Sequence, residues 1–325
     1  MRDVILDVDQ LTVQYRTRRE PLSAVDHVSF SIQRGEIMGL AGESGSGKTT
    51  VAQAIARLNS GSTVVRGNVR VNGVDWLGAD AHSLRELRWK RLSLVTQSVM
   101  GALNPLTTIG TQFNDTLEAH GERDRKKMRE RGQNLLGLVG LSSDLLRAYP
   151  HQLSGGMRQR VGIAMALMFN PDLIIMDEPT TALDVVVERD LLGQIKGLQH
   201  RFQFAVLFIT HDLSLLFRLA DRIAIMYAGQ LVEEGPVNRI NQRQAHPYTR
   251  GLIRAFPSIS AGKQMQKGIP GNPPSLTNMP SGCRFFPRCP MAVDACAQSE
   301  PPWLAIPGDP SSGVKCFRWE EIYDE

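Results

Sequence analysis

The segment GESGSGKT (42–49) has the residue types and the spacing of a loop that binds phosphate. Its three glycines let the backbone curl so that N–H groups point inward at phosphate oxygens. The helix expected from about residue 48 adds the positive end of its dipole. Lys48 is placed to reach the β- and γ-phosphates and to act in catalysis, and Thr49 to offer a hydroxyl to Mg²⁺. The predicted nucleotide contacts in this segment are Gly42, Glu43, Ser44, Gly45, Ser46, Gly47, Lys48, Thr49 and Thr50.

A pair of carboxylates ends the apolar run LIIMDE (173–178). Ligands of α/β proteins bind at the carboxyl edge of the sheet, which is where such a strand would deliver Asp177 and Glu178. We expect Asp177 to hold Mg²⁺ through water and Glu178 to orient or deprotonate the attacking water. Helix capping is the alternative role for an Asp-Glu pair, and the apolar run before the pair makes it the weaker one.

All four cysteines lie in one short part of the chain, with the spacing C-x5-C-x6-C-x19-C. No apolar run approaches the roughly 18 residues of a membrane span, and no secretory leader is recognised at the start, so we expect the chain to stay in the reducing cytosol. Disulfides are disfavoured there. Structural zinc normally uses closely paired cysteines, which are absent, so the spacing indicates a metal site and favours iron–sulfur over zinc. The predicted ligands are Cys283, Cys289, Cys296 and Cys316.

The elements around these residues predict an α/β core. Continuous apolar runs at 36–42, 173–177 and 205–210 are each followed by a turn and a helical pattern, as in a parallel sheet covered on both faces. Short alternating runs before the phosphate loop favour antiparallel strands, and the strand signal disappears between about 98 and 155, where the pattern is helical. The antiparallel strands are expected at 4–8, 11–15 and 28–33.

Composition indicates an ordinary globular chain. Its 325 residues are 42% hydrophobic and 22% charged, and the formal net charge of +4 is too small to argue for nucleic acid. The segment ERDRKKMRER (122–131) contains six basic and three acidic residues, which favours a solvated helix face over a membrane-facing patch. Residues 256–313 are rich in Pro, Gly and Ser. We therefore predict a first domain at 1–235 and a smaller, loop-rich unit at 236–325.

The segment LSGGMRQR (153–160) resembles the signature of ATP-binding cassette (ABC) ATPases, and further motifs of that family occur in order between residues 3 and 240. Gln97 resembles the glutamine of the Q-loop, TALD (181–184) the D-loop and His211 the switch histidine. The resemblance implies an ABC-type nucleotide-binding domain with an N-terminal antiparallel β subdomain, a helical subdomain at about 98–155 and a small C-terminal metal-binding extension.

The family resemblance also implies roles for these residues. Two cassettes of this family sandwich ATP head to tail, so one cassette's signature turn caps the γ-phosphate bound by the other, which is anion binding at a helix N-terminus. Gln97 would contact Mg²⁺, and His211 would hydrogen-bond the γ-phosphate. The remaining residues implied to contact nucleotide are Tyr15, which would stack on adenine, together with Ser154, Gly155, Gly156 and Asp184.

Within the family the chain resembles the ATPase subunits of dipeptide, oligopeptide and nickel importers. The segments that carry this resemblance are YPHQLSGGMRQR (149–160), DEPTTALDV (177–185), MYAGQLVEEG (226–235) and HPYTRGL (246–252). The chain departs from those subunits after Gln97, where Ser98 and Val99 replace an acidic residue and proline. Some of those subunits associate a similar cysteine pattern with a [4Fe–4S] cluster, which is the assignment we adopt here, with zinc as the alternative.

The resemblance implies that the chain hydrolyses ATP to energise peptide import. It implies a second ABC subunit (a different chain is favoured), two transmembrane permease subunits, an extracytoplasmic solute-binding protein and a place at the cytoplasmic face of a bacterial or archaeal membrane. Nickel, oligosaccharide or another small solute is an open alternative, and export is a further one. A DNA-repair ATPase would need a long coiled coil between Thr49 and Ser154, and none is present.

Overall fold

A computed structural model describes residues 3–17, 20–97, 99–181, 183–255, 268–309 and 311–324. The chain divides into two compact units. The first consists of Met1–Leu6, Ser31–Glu36 and Arg70–Phe208, and the second of Asp7–Phe30, Ile37–Val69 and Ile209–Glu325. Among the described residues, we find no helix whose length and apolar content would let it cross a bilayer.

The described strands are β1 (Val4–Tyr15), β2 (Leu22–Gln33), β3 (Ile37–Ala41), β4 (Thr63–Val71), β5 (Val74–Asp75), β6 (Leu92–Val95), β7 (Leu173–Asp177), β8 (Ala205–Ile209), β9 (Arg222–Tyr227), β10 (Gln230–Pro236), β11 (Leu304–Ala305) and β12 (Gly313–Val314). The described helices are α1 (Lys48–Ala56), α2 (Ala81–Leu87), α3 (Val99–Ala102), α4 (Ile109–Ala119), α5 (Arg125–Leu138), α6 (Gly155–Ala166), α7 (Val185–Phe202), α8 (Leu213–Leu219), α9 (Val237–Gln242), α10 (Pro247–Ala255), α11 (Asp294–Gln298) and α12 (Trp319–Asp324). Turns of 3-10 helix occur at Ser143–Arg147, Pro150–Gln152 and Phe286–Arg288.

The first unit contains the carboxylate strand and the helical segment. Its strands follow the order β8-β7-β6, and β6 and β7 run parallel, with Leu92 opposite Leu173. Every residue of β7 is buried, as expected for a strand covered on both faces. The segment 98–155, where the sequence indicated helix, contains α3, α4, α5 and two 3-10 turns, and no strand among its described residues.

The second unit contains the phosphate loop and the C-terminal extension. Its strand order is β11-β12-β10-β9-β3, in which β3 and β9 are parallel and β9 and β10 antiparallel. The short strand β12 pairs antiparallel with β10, with Val314 opposite Glu233, so the extension continues the same sheet. The extension also has a small core of its own, formed by Ala245, Ile306, Val314, Cys316 and Ile322. The division at 235/236 falls inside β10 and stays a prediction.

The N-terminal strands differ in one respect from the sequence-based expectation. Residues 4–8 and 11–15 form one continuous strand, β1, instead of two. Gln10 adopts a positive φ of 51°, and its N–H donates to Ser29 Oγ at 2.8 Å. The local irregularity changes which side of the strand is buried, which is why the apolar pattern is interrupted there.

Candidate nucleotide site and cysteine cavity

The phosphate loop connects β3 to α1, as the sequence predicted. Two of its glycines lie against neighbouring backbone that leaves no space for a side chain. A Cβ at Gly42 would lie 2.2 Å from the Met226 carbonyl oxygen, and one at Gly47 would lie 2.6 Å from that of Ala24. Both residues also have positive φ, 150° and 103°. Glycine is therefore required at both positions by the close approach and, at Gly47, by left-handed backbone.

Lys48 is buried beneath the loop, although its side chain carries a charge. Its Nζ donates to the carbonyl oxygens of Gly42 at 2.8 Å and Glu43 at 3.0 Å, and Ser46 Oγ lies at 3.5 Å. These acceptors satisfy the ammonium group and hold it against the concave side of the turn. A charge in this position favours an anion bound by the loop.

The predicted adenine contact lies beside the same helix. Tyr15 Oη is 3.2 Å from Thr50 Oγ1, so the end of β1 reaches the first turn of α1. Thr49, the predicted Mg²⁺ ligand, is exposed in that turn. His211 is exposed just after β8, and the next residue, Asp212, caps α8 by accepting from Ser214 N–H at 2.8 Å. The second unit thus contains the loop, Tyr15 and the predicted switch histidine.

The carboxylates lie where β7 ends in the first unit. Asp177 is buried, and Glu178 follows with a positive φ of 48°, a strained conformation for a residue with a side chain. Glu178 Oε2 accepts from Gln97 Nε2 at 2.9 Å and from Thr181 Oγ1 at 3.0 Å. The structure therefore places the predicted Q-loop glutamine, Gln97, against the predicted catalytic carboxylate. Ser98, where the sequence departs from the importer pattern, lies outside the described residues.

The signature turn forms the start of α6. This helix begins at Gly155 and ends at Ala166, and Ser154 caps its start by accepting from Met157 N–H at 3.3 Å. A Cβ at Gly156 would lie 2.7 Å from Val187 Cγ1, whereas one at Gly155 would meet nothing within 4 Å. The open side of the turn is therefore the side of Gly155.

Asp184, the aspartate of the predicted D-loop, caps the helix that follows it. Asp184 Oδ1 accepts from the N–H groups of Val186 at 3.1 Å and Val187 at 3.0 Å, which fixes the start of α7 beside the signature turn. Val185 and Val186 are 77% and 71% exposed. Large apolar side chains exposed side by side beside a polar turn are typical of a surface that another chain covers.

The four cysteines come together in the second unit, as predicted. They are free thiols that line one small cavity of about 10 Å³, together with His246 and Phe285. Cys289 follows a 3-10 turn, Cys296 lies in α11 and Cys316 follows β12, and the Cys283 N–H donates to the Cys296 carbonyl oxygen at 2.8 Å. The four cavity cysteines are Cys283, Cys289, Cys296 and Cys316.

The structure does not support the predicted metal-binding extension at the level of coordination. Within the described residues, no group of three or more His, Cys, Asp or Glu side chains is placed to hold a metal ion. Burial raises the pKa of the Cys283 and Cys289 thiols, and it raises the pKa of Cys316 to about 12. Only the donor chemistry of the four thiols therefore matches the sequence-based expectation.

Two residues that touch the phosphate loop were not predicted. Tyr248 Oη accepts from the Glu43 N–H at 2.9 Å, and the Arg288 guanidinium pairs with the Glu43 carboxylate at 2.7 and 3.0 Å. Tyr248 belongs to HPYTRGL (246–252), which the sequence offered only as a family resemblance. The His-Pro-Tyr sequence was the only signal available for Tyr248, and it did not indicate a contact with the phosphate loop.

Known proteins and families match this chain over nearly its whole length. The ABC transporter family matches residues 25–181, and the family described as oligopeptide/dipeptide transporter, C-terminal region, matches residues 232–296. The chain is 39% identical to the dipeptide transport ATP-binding protein DppD of Caldanaerobacter subterraneus subsp. tengcongensis, covering 98% of each chain. It is 40% identical to the oligopeptide transport ATP-binding protein AppD of Bacillus subtilis, covering 98% of this chain and 97% of that one.

The chain belongs to the ABC transporter family, among the ATP-binding subunits of the oligopeptide/dipeptide group. It is an ABC ATPase. Among solved structures it is similar to the ATP-binding cassette MJ0796 in a dimeric, post-hydrolysis state bound to ADP and Pi, with a TM-score of 0.65, 28% identity and coverage of 72% of this chain and 99% of that one. The ABC fold, its antiparallel β subdomain and its α/β core are thereby confirmed.

Proposed function

We propose that this ABC ATPase energises the import of dipeptides or oligopeptides across the cytoplasmic membrane. The observation that carries the proposal is the match of residues 232–296 to the C-terminal region of oligopeptide/dipeptide transporters, which lies outside the cassette shared by all ABC proteins. Relatives named for dipeptide and oligopeptide transport align with the chain from end to end, which supports the same solute class here.

The nucleotide chemistry that we propose follows the residue roles that the family resemblance implies. Lys48 and the amides of the phosphate loop bind the triphosphate, and Tyr15 contacts adenine. Asp177 and Thr49 would hold Mg²⁺, which would supply charge neutralisation on the β- and γ-phosphates. Glu178 activates water as the general base. Gln97, which donates to Glu178 at 2.9 Å, would contact Mg²⁺, and His211 would hydrogen-bond the γ-phosphate.

We infer that catalysis needs a second cassette. The signature turn, Ser154 with Gly155 and Gly156, would cap the γ-phosphate bound by that partner, since its helix N-terminus presents free amides to an anion. Two observations support this proposal: the open space beside Gly155, and the exposed Val185 and Val186 next to the turn. The dimeric state of the similar cassette MJ0796 supports it as well.

The assembly that we propose contains further chains. A second ABC subunit, favoured to be a different chain, and two transmembrane permease subunits would form the transporter with an extracytoplasmic solute-binding protein. The chain would work at the cytoplasmic face of the membrane, in a bacterium or archaeon. Residues 98–110, which follow Gln97, are the segment that we expect to meet a permease subunit. No nucleic-acid partner is proposed.

Peptide-dependent stimulation of ATP hydrolysis tests the proposed function. We expect the purified complex, reconstituted with its permease subunits and solute-binding protein, to hydrolyse ATP several-fold faster when peptide is added, because substrate-driven closure commits such machines to turnover. Nickel and an oligosaccharide serve as the matched comparison ligands. Stimulation by either of these but not by di- or oligopeptides would overturn the assignment of the solute.

We propose further that the four cavity cysteines are ligands of a [4Fe–4S] cluster. The support is their donor chemistry: four thiols and no carboxylate line one cavity, and such clusters take four cysteine thiolates. When bound, the cluster would supply covalent cross-links between distant parts of the extension, which has only a small core of its own. Zinc stays the alternative metal for these four thiols.

Metal analysis checks the cysteine assignment. Protein purified without oxygen is expected to contain about four iron and four sulfide per chain, and Cys289→Ser should lower that content because it removes one thiolate. Bound zinc at one ion per chain would replace the cluster with the alternative. Protein with neither metal would show that the cysteines are a thiol core and nothing more.

A further inference from the structure

Two residues of the C-terminal extension hydrogen-bond to one residue of the phosphate loop, Glu43. The Tyr248 hydroxyl accepts from the Glu43 backbone N–H at 2.9 Å, and the two terminal nitrogens of Arg288 donate to the two Glu43 carboxylate oxygens at 2.7 and 3.0 Å. Backbone and side chain of one loop residue are thus both held by the extension. All three residues lie in the second unit.

Tyr248 is held rigidly before it meets the loop. It is the second residue of α10 and is fully buried, with its N–H donating to His246 Nδ1 at 3.0 Å. Burial lowers the pKa of His246 to about 3, so the imidazole stays neutral and accepts that bond at every physiological pH. The Tyr248 ring packs against Tyr227 and Phe285 with ring centroids 4.6 and 5.4 Å apart. The His-Pro-Tyr motif therefore fixes where the hydroxyl points.

Arg288 is equally constrained. Its side chain is only 4% exposed, and its Nε donates to the Pro270 carbonyl oxygen at 2.8 Å, which leaves the two terminal nitrogens directed at Glu43. The guanidinium is charged at physiological pH, as it is for arginine in proteins generally. Bidentate pairing of this kind fixes orientation as well as charge, which a lysine ammonium does not do.

The pairing has a consequence for an anionic ligand. Lys48 donates to the carbonyl oxygen of the same residue, Glu43, at 3.0 Å, so the carboxylate and the phosphate-binding ammonium are attached to one turn. An unpaired carboxylate there would repel a triphosphate, and the loop would lose its outer anchor. Pairing with Arg288 neutralises the carboxylate before the nucleotide arrives.

We propose that Tyr248 and Arg288 are positioning residues for ATP, through which the C-terminal extension sets the affinity of the phosphate loop. The inference rests on the proposed nucleotide site. Tyr248, in the His-Pro-Tyr motif, and Arg288, next to Cys289, would thus influence nucleotide binding through Glu43, without contacting ATP themselves. Arg288 lies next to Cys289, in the segment that carries the cavity cysteines. A structural change at those cysteines that displaced Arg288 would therefore also alter the phosphate loop.

Equilibrium binding of Mg-ATP to the full chain tests the proposal. Arg288→Gln is expected to weaken binding about tenfold, because it removes a charge-assisted pair from the loop. Arg288→Lys should recover part of the affinity, since it restores charge without the bidentate geometry. Tyr248→Phe, which keeps the buried ring and removes the acceptor, should weaken binding about threefold. Arg318→Gln is the matched control, because Arg318 pairs with the exposed Glu321 in the same extension.

A double-mutant cycle separates this role from a general loss of structure. In a Glu43→Gln background, Arg288→Gln should cost less than twofold, since its partner carboxylate is already gone. Wild-type affinity in Arg288→Gln, or an undiminished effect in the Glu43→Gln background, would overturn the proposal. Lys48→Ala, measured in the same assay, distinguishes failure of this proposal from failure of the proposed nucleotide site. If Arg288→Gln and Lys48→Ala both bind Mg-ATP normally, the nucleotide site is wrongly assigned. If only Arg288→Gln binds normally, the role of Arg288 alone is wrong.

Discussion

Replacing Glu178 with glutamine is expected to lower the rate of ATP hydrolysis at least about 100-fold while ATP still binds. Loss of a positioned general base typically costs 10²- to 10⁴-fold in rate. Glutamine has the shape of glutamate, and its carbonyl oxygen can accept the hydrogen bonds from Gln97 and Thr181 that Glu178 accepts now. The substitution therefore removes the base and keeps the geometry, including the left-handed backbone at residue 178.

Single-turnover hydrolysis and Mg-ATP binding, measured on the same preparation, check this result. Glu130→Gln is the matched control, because Glu130 is exposed on α5 in the same unit and no role is assigned to it. Turnover within a few-fold of wild type in Glu178→Gln would show that another group activates the water. Loss of binding as well as of turnover would show that Glu178 holds the nucleotide or the loop instead.

Ser154→Arg is expected to abolish solute-stimulated hydrolysis while leaving the chain's own phosphate loop able to bind ATP. The arginine side chain would fill the open side of the turn beside Gly155, where the partner's γ-phosphate is proposed to sit, and so prevent closure of the two cassettes. The remaining rate of ATP hydrolysis should approach the basal rate of unpaired chains. ATPase activity of the reconstituted complex and ATP binding to the isolated chain are the two measurements.

Two further variants separate closure from helix stability. Ser154 caps α6, so its loss costs roughly 1 kcal/mol in addition to any effect on the partner site. Ser154→Asp keeps a good cap but places a carboxylate opposite the triphosphate, and it should be as inactive as the arginine variant. Ser143→Arg adds the same side chain at an exposed position of the same unit and should retain activity. An active Ser154→Asp would remove the signature turn from the mechanism.

The motifs that could be predicted from sequence are those whose contacts are local. The phosphate loop, the β7 carboxylates and the signature turn each depend on residues within about ten positions, so their spacing carries the geometry. The hydrogen bond from Gln97 to Glu178 spans 81 positions, and family resemblance, not periodicity, placed these residues in one site. The bounds of β1 were less predictable, because the chain passes through a left-handed residue at Gln10 and continues as one strand.

The hydrogen bonds of Glu43 with Tyr248 and Arg288 could not be predicted, because these partners are 205 and 245 positions away in the sequence. Nothing in the residue types of Tyr248 or Arg288 indicates a distant partner, and a buried tyrosine is ordinarily part of a core. The cysteines are an intermediate case. Their clustering predicted a shared site, and one cavity collects them, but coordination depends on sulfur positions to within a fraction of an ångström.

The central claim is that ATP is hydrolysed only when a neighbouring cassette closes over it. The most direct test compares the rate of ATP hydrolysis per chain in two samples. One sample is the isolated chain, shown to be monomeric, and the other is the complex with its second cassette and permease subunits, both at saturating Mg-ATP. We predict that the assembled complex hydrolyses ATP at least about tenfold faster per chain, because each site is completed in trans. Equal rates for the monomer and the complex would contradict the account.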